Sequence, residues 1–469
     1  SFFSYFFNNE PYKTLFLAFK WLTIVYFLLI CSMTRPYCVL LKLLAIVAFA
    51  TFNTTIKAQD VLIDGTTNND DDSLAVDTMA VDSLGNLDLP EDSIAQHLPW
   101  EEAVRLRLQS LLADRLFETS QVALMVWDLD ADSVLFRHNE RQRMRPASTM
   151  KLLTAISALD YLGSGYKLRT ELRYRGNMSD STRILNGNLY CIGCLDPEFS
   201  SLDVNVFADS IKSLNADTIV GNIYTDMSFK DNDRLGEGWC WDDDNPVLSP
   251  LLVNGKDRFV ESLLRTLRER NIVLDGTCKE QSTSTNGGTI LCCIERPLTA
   301  LLGKMMKKSN NLYAEAVFYQ IAHRQGGSHA GAASARSRMD MVVKKAGGDH
   351  KALRVADGSG LSLYNYATAE IEVMMLRYAF NNNDIYPYLY ESLPIAGIDG
   401  TLRKRMRNSK AKANVRAKTG TLKGVCTLAG YCTGGNGHKL CFAIFNQGIK
   451  DSSEARNFQD KVCRVLCSD

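Results

Sequence analysis

Apolar side chains at Val104, Leu108, Leu111 and Leu112 recur at helical spacing and predict a helix over 101–117. The pattern then turns to strand, with Gln121–Asp128 and Ser133–Arg137 joined by a tight turn at Leu129–Asp132. A second helix is predicted from Ser148 to Leu162, with Leu152, Leu153, Ile156 and Leu159 apolar. From about 166 to 295 the chain breaks into short β-like runs between Asn, Asp and Gly turns, with few long helices. Helical spacing returns over 297–323 and 330–346. Val415–Thr421 and Val425–Tyr431, then Lys439–Asn446 after Gly434-Gly435-Asn436-Gly437, predict an antiparallel set. A last helix is predicted over about 452–466. The order is helix, strands, helices, strands, helix, an α+β arrangement with a β-rich insert.

The first 58 residues do not read as part of that fold. One apolar stretch runs from Thr14 to Ile30, interrupted only by Lys20, and a second from Leu43 to Phe52. Taken from Met33, the segment through Ala58 has a basic start, a short apolar core and a small residue before Gln59, as a secretory signal does. A membrane-anchored N-terminus is the alternative, and either reading exports the rest of the chain. Residues 59–98 carry ten Asp/Glu and no Lys or Arg, the composition of a disordered tether.

Composition narrows the classes further. With 469 residues, 46% hydrophobic and 23% charged, the chain is too long for one small core. Its balance is that of a globular protein, which excludes collagen-like, wholly disordered and multi-span membrane readings. Its 53 basic and 53 acidic side chains cancel, which argues against a nucleic-acid partner. The cancellation is uneven along the chain. Residues 1–58 carry +4, 59–98 carry −10, and 99–469 carry +6. Among thirteen cysteines, Cys191-x-x-Cys194 is the one tight spacing, with no second CxxC and no nearby histidine to complete a zinc site. A local disulfide or two structural thiols is expected there, and neither a metal nor a cofactor is.

Three short motifs carry chemistry. In Pro146-Ala147-Ser148-Thr149-Met150-Lys151, Ser148 opens a helix and Lys151 follows one turn later on the same face. A serine hydroxyl needs a base, and a lysine is one only when burial or neighbouring positive charge lowers its pKa. Ser309-Asn310-Asn311 lies on a predicted turn between two helices, where a hydroxyl and a carboxamide can relay a proton and bind a peptide carbonyl. Lys418-Thr419-Gly420-Thr421 lies in a predicted strand, with Lys418 and Gly420 on one side. Gly420 leaves room for a substrate backbone, and Lys418 and Thr419 can hold a carboxylate. The backbone N–H groups of Ser148 and Thr421 are candidates for an oxyanion hole. Each motif alone is an ordinary cap or strand. The order S-x-x-K, S-x-N, K-T-G is the combination found in β-lactamases and penicillin-binding proteins.

Longer runs resemble one family within that class, the D-alanyl-D-alanine carboxypeptidase/endopeptidases, or class C low-molecular-mass penicillin-binding proteins. They are Pro146–Thr154, Ser309–Glu315, Asp357–Ser362, Pro394–Gly397 and Arg416–Leu422. The family's long insert accounts for the separation of 161 positions from Ser148 to Ser309. The resemblance implies a β-lactamase/transpeptidase-like domain, an antiparallel sheet flanked by helices, formed from 99–165 and 296–469. Residues 166–295 would form the inserted β-rich domain or domains. It also implies that Lys151 is the general base for acylation of Ser148, and that Ser309 with Lys418 passes the proton to the leaving amine. Asn311 would orient the substrate amide and Thr419 the terminal carboxylate. Water would then release the acyl group, so peptidoglycan stem peptides are the expected substrates, and β-lactam antibiotics acylate the same serine. The run Gly238–Asp244 resembles the family's segment near the substrate side chain, where Asp243 is the choice for binding the ammonium of a diamino acid and an exposed acidic turn is the alternative. Leu363 stands where relatives usually carry arginine. The alternatives are an exported peptidoglycan-binding or penicillin-sensing module with little turnover and, disfavoured by the insert, a β-lactamase. The expected location is periplasmic or elsewhere in the cell envelope.

Overall fold

The computed structural model describes residues 98–240, 245–282 and 288–469. The export segment 1–58, the acidic segment 59–97 and Asp243 lie outside the described residues. Helix α1 (Trp100–Leu111) is shorter than its periodicity suggests, because the chain turns at Leu112–Asp114 into a 3₁₀ turn over Arg115–Glu118. Asp114 caps that turn by accepting from the Leu116 N–H.

Strands β1 (Gln121–Asp128) and β2 (Ser133–His138) form one side of a five-stranded antiparallel sheet. The other side comes from the chain's end: β10 (Arg416–Leu422), β11 (Val425–Thr433) and β12 (Lys439–Gln447), in the order β10-β11-β12-β1-β2. The sheet is buried on both faces. Val122, Leu124 and Val126 pack with Phe442 and Ile444 under α1 and the closing helix α10 (Ser452–Cys467). Ala123, Met125, Ala443 and Phe445 point the other way, into a core built by helices. That two-sided burial is why these strands read as continuous apolar runs.

Helix α2 (Met150–Leu162) is buried from Met150 to Leu159 and crosses the second core. Strands β3 (Lys167–Ser179), β4 (Ile184–Ile192), β5 (Thr218–Val220), β6 (Ile223–Asp226), β7 (Val273–Asp275), β8 (Cys278–Glu280) and β9 (Thr289–Pro297) form a second sheet. It is mixed: β3 pairs antiparallel with β4 and β9, while β4–β5, β4–β6, β5–β7 and β6–β8 are parallel. Parallel pairs need crossovers. Two full helices, α3 (Ser201–Lys212) and α4 (Phe259–Glu269), lie in a region expected to hold few long ones. Ser200 and Asp203 form a reciprocal capping box at the start of α3, a local signal for it. Phe199, Phe207 and Phe259 meet in this sheet's own core.

The chain enters and leaves this segment at one place. Lys167 pairs with Pro297, and the Leu298 N–H donates to the Tyr166 carbonyl at 2.9 Å. The 130 or so intervening residues therefore leave the ends of α2 and α5 (Leu298–Lys307) side by side. The helical stretch over 297–323 is two helices, α5 and α6 (Asn311–Gly326), separated at Lys308–Asn310, where the turn carrying Ser309 and Asn311 is expected. Helix α7 (Ala332–Lys345) follows as expected, and α8 (Ala369–Phe380) and α9 (Tyr386–Ser392) were not anticipated from the pattern. Cys191 and Cys194 are buried free thiols. Burial pushes the Cys194 thiol up to about 12, so the pair is structural.

Candidate active site

Ser148 sits in a 3₁₀ turn, Ala147–Thr149, that runs directly into α2. The turn is strained: Ala147 has φ +48. It is held from three sides. The Thr427 hydroxyl donates to the Pro146 carbonyl at 2.7 Å, and Thr149 donates to the same oxygen at 2.7 Å. Gly360, at φ +80, lies so close that a Cβ there would stand 1.7 Å from the Ala147 carbonyl oxygen. Gly360→Ala is therefore expected to lower unfolding free energy by about 2–3 kcal/mol and to slow acylation with it. Thermal unfolding checks this, and an unchanged Tm would show that the turn yields.

Lys151 is fully buried and makes three contacts through Nζ, to Ser148 Oγ at 2.9 Å, Asn311 Oδ1 at 2.8 Å and the Ser359 carbonyl at 2.7 Å. A neutral amine has two N–H donors and one lone pair. Asn311 and Ser359 can accept both donors, which aims the lone pair at the Ser148 hydroxyl. Burial lowers the Lys151 pKa to about 8, against the opposing pull of Asp357 and Glu315.

The Ser359 carbonyl is itself fixed. Buried Glu315, on α6, accepts from the N–H groups of Gly358 at 3.2 Å and Ser359 at 2.8 Å. Asp357 accepts from the N–H groups of Gly360 and Ser362, from Asn365 Nδ2 and from Trp239 Nε1 at 2.7 Å. The Thr154 hydroxyl ties the Gly358 carbonyl to α2. Burial raises the Glu315 carboxyl to about 8.

The break before α6 places the second motif. Ser309 has φ +55, Asn310 caps α6 by accepting from the Tyr313 N–H, and Asn311 is its first residue. Lys418, fully buried on β10, donates to Ser309 Oγ at 2.8 Å and to the Thr419 carbonyl at 2.6 Å. Burial holds its pKa well below the usual lysine value, helped by the positive charge of Lys151. The structure thus gathers Ser148, Lys151, Ser309, Asn311 and Lys418 from α2, the α5–α6 turn and β10.

A Cβ at Gly420 would meet Thr427 Oγ1 at 2.1 Å and Pro146 O and Ser148 N at 2.9 Å each. The glycine makes room for the turn that carries Ser148, a constraint beyond the one expected. Thr419 and Thr421 face the other way. β10 is the sheet's edge, covered along Arg416–Ala417 by Ile395 and Pro394 and without a strand partner beyond among the described residues. An extended peptide can add there. Sequence reasoning missed Glu372 on α8, buried beside Lys418. Thr149 lies against it, but that hydroxyl's proton goes to Pro146, so both Glu372 oxygens are without a hydrogen-bond partner. Among the described residues no cluster of His, Cys, Asp and Glu could hold a metal ion.

A serine beside a buried lysine, a second Ser–Lys pair, and a sheet edge under a helical layer define a serine acyl-transfer enzyme with the penicillin-recognising α+β fold. The comparisons give the family. The profile of the D-Ala-D-Ala carboxypeptidase 3 (S13) family matches residues 104–254 and 248–468, and the chain belongs to that family. It is 26% identical over 422 residues to the D-alanyl-D-alanine carboxypeptidase DacB of Haemophilus influenzae, covering 72% of this chain and 87% of the relative. It is 26% identical over 448 residues to the D-alanyl-D-alanine carboxypeptidase of an Actinomadura species, covering 74% and 81%. In fold it is similar to penicillin-binding protein 4 of Haemophilus influenzae, with a TM-score of 0.70, 23% identity, and 76% and 98% of the two chains covered.

Proposed function

We propose that this serine D,D-peptidase hydrolyses D-Ala-D-Ala ends, D-Ala–diamino acid cross-links, or both, in peptidoglycan through an acyl-enzyme on Ser148. The carrying observation is the contact of Lys151 Nζ with Ser148 Oγ, with two fixed acceptors for the amine's hydrogens. Neutral Lys151 takes the Ser148 proton as Oγ attacks the penultimate D-Ala carbonyl. The backbone N–H groups of Ser148 and Thr421 stabilise the oxyanion. Ser309, polarised by Lys418, hands a proton to the leaving amine as the C–N bond breaks. Asn311 orients the substrate amide, while Thr419 and Thr421, at the rim beside Gly420, take the terminal carboxylate. Water then attacks the ester, and Ser148 recovers its proton. A β-lactam acylates the same oxygen.

The substrate places the enzyme in the cell envelope, and we assign it to the periplasmic side. On this reading 1–58 is a signal or membrane tether, 59–98 a linker, 99–165 and 296–469 the catalytic domain, and 166–295 an insert. No described helix is long and apolar enough to cross a membrane. Trp239, bound to Asp357, brings the run before Asp243 to the floor of the site, which supports Asp243 as a contact for a diamino acid. Fluorescent penicillin is expected to label the protein, with the adduct on the peptide containing Ser148, and a D-Ala-D-Ala pentapeptide to lose D-alanine. The absence of both label and release would refute the reading, and label without release would favour a penicillin sensor.

A further inference from the structure

Beside β10, on the face carrying Thr419 and Thr421, lies a cleft of about 360 Å³. Thr401 belongs to its lining, and the Thr419 hydroxyl donates to Thr401 Oγ1 at 2.8 Å. Three basic side chains, Lys404, Arg405 and Arg456, line it together with Cys426, Thr427 and Gln459. Arg405 is already neutralised, paired with Asp460 at 2.6 Å and bonded to Gln459 and the Arg456 carbonyl. Lys404 is exposed and without a salt bridge among the described residues. Arg456, also exposed, lies against the Cys426 thiol and interacts with Asp451 through space, without a salt bridge among the described residues. The cleft therefore keeps two positive charges without a matched partner.

A departing D-alanine has no use for them. It carries one carboxylate, which the Thr419 cradle already serves, and it fills little of a cleft as large as those that enclose drug-sized ligands, about 300 Å³ and upward. A diamino-acid leaving group differs. It offers the same carboxylate next to the scissile bond, and its side chain continues into a second peptide strand that bears further carboxylates. We propose that Lys404 and Arg456 form a second anion subsite for the leaving group. It reads a carboxylate beyond the scissile residue and so selects the acceptor strand of an anionic cross-link over a lone terminal D-alanine. This rests on the reading above, in which Ser148 is acylated and Thr419 holds the first carboxylate. Both residues act by positioning the leaving group, and neither touches the reacting atoms.

The test uses the full chain and three substrates: a D-Ala-D-Ala pentapeptide, a cross-linked muropeptide dimer, and that dimer with its acceptor-strand carboxylates amidated. The readout is kcat/KM for each, alongside penicillin labelling. In a Lys404→Gln/Arg456→Gln double variant, the ratio of dimer to pentapeptide kcat/KM is expected to fall about tenfold. Amidation should produce a similar fall on the unsubstituted protein and little more on the double variant, because both changes remove one interaction. Raised ionic strength should narrow the difference. A ratio unmoved by both changes, in protein still labelled by penicillin, would overturn the subsite alone. Failure of the unsubstituted protein to be labelled would overturn the underlying reading, and the subsite with it. Both side chains are exposed, so Lys404→Gln alone, expected to give a smaller fall in the same ratio, serves should the double variant fold poorly.

Discussion

Lys151→Gln is expected to slow acylation by penicillin about 10³- to 10⁴-fold and to remove the rising limb of its pH profile. Glutamine has no lone pair basic enough to take the Ser148 proton, although its amide can still meet Asn311 and Ser359. The sign follows from burial, which lowers the Lys151 pKa to about 8. The catalytic form is the neutral amine, so the rate should rise with pH up to about 8 and then level. At pH 7 about one molecule in ten carries that form for a pKa of about 8, far more than for an exposed lysine near 10.4. Stopped-flow labelling between about pH 6 and 10 measures both features. A variant that kept the rising limb would assign the base to another group. Thermal unfolding separates this from damage to the core, since removing a buried charge that is amply hydrogen-bonded need not lower Tm.

The motifs were legible because each is local. Ser148 and Lys151 are one helical turn apart, Ser309 and Asn311 straddle a helix start, and Lys418 and Gly420 alternate on one strand. What holds them in register was less visible. The Ser359 carbonyl acts through its backbone, which no side-chain pattern reports, although the run Asp357–Ser362 drew notice by resemblance. Glu315, also inside a noted run, was not singled out, because its partners are N–H groups more than forty residues away. Helix α8 escaped for a different reason. Ala369, Ile371, Glu372, Val373, Met375, Leu376 and Ala379 are all buried, and only Glu370 and Arg377 mark a charged outer face, so the polar period is weak. In the second sheet, short parallel strands hid the crossover helices between them. Thr401, Lys404 and Arg456 come together only when β10, the loop before it and α10 meet, a conjunction that no spacing along the chain announces.

Lys418→Gln is expected to lower acylation about 10²- to 10³-fold, with the larger loss on peptides whose leaving amine must be protonated. Lys418 lies between two opposed influences. Burial and the charge of Lys151 drive it toward the neutral amine, while Glu372 favours the ammonium. Glu372 is in turn raised to about 8 by burial, and Lys418 pulls it back. The Glu372 charge therefore supports the Lys418 ammonium through space, without a direct hydrogen bond between them. An unpartnered buried carboxyl is costly, and its charge favours the Lys418 ammonium that faces Ser309. Glu372→Gln removes the negative charge that supports the ammonium, so the alkaline limb of peptide hydrolysis should move to lower pH. Penicillin acylation, which has no free amine to expel, should change less. In the Lys418→Gln background, the Glu372→Gln substitution should add little, because the proton it governs has gone. Additive losses in the double variant would instead mean that Glu372 acts on the packing of α8 and not through Lys418.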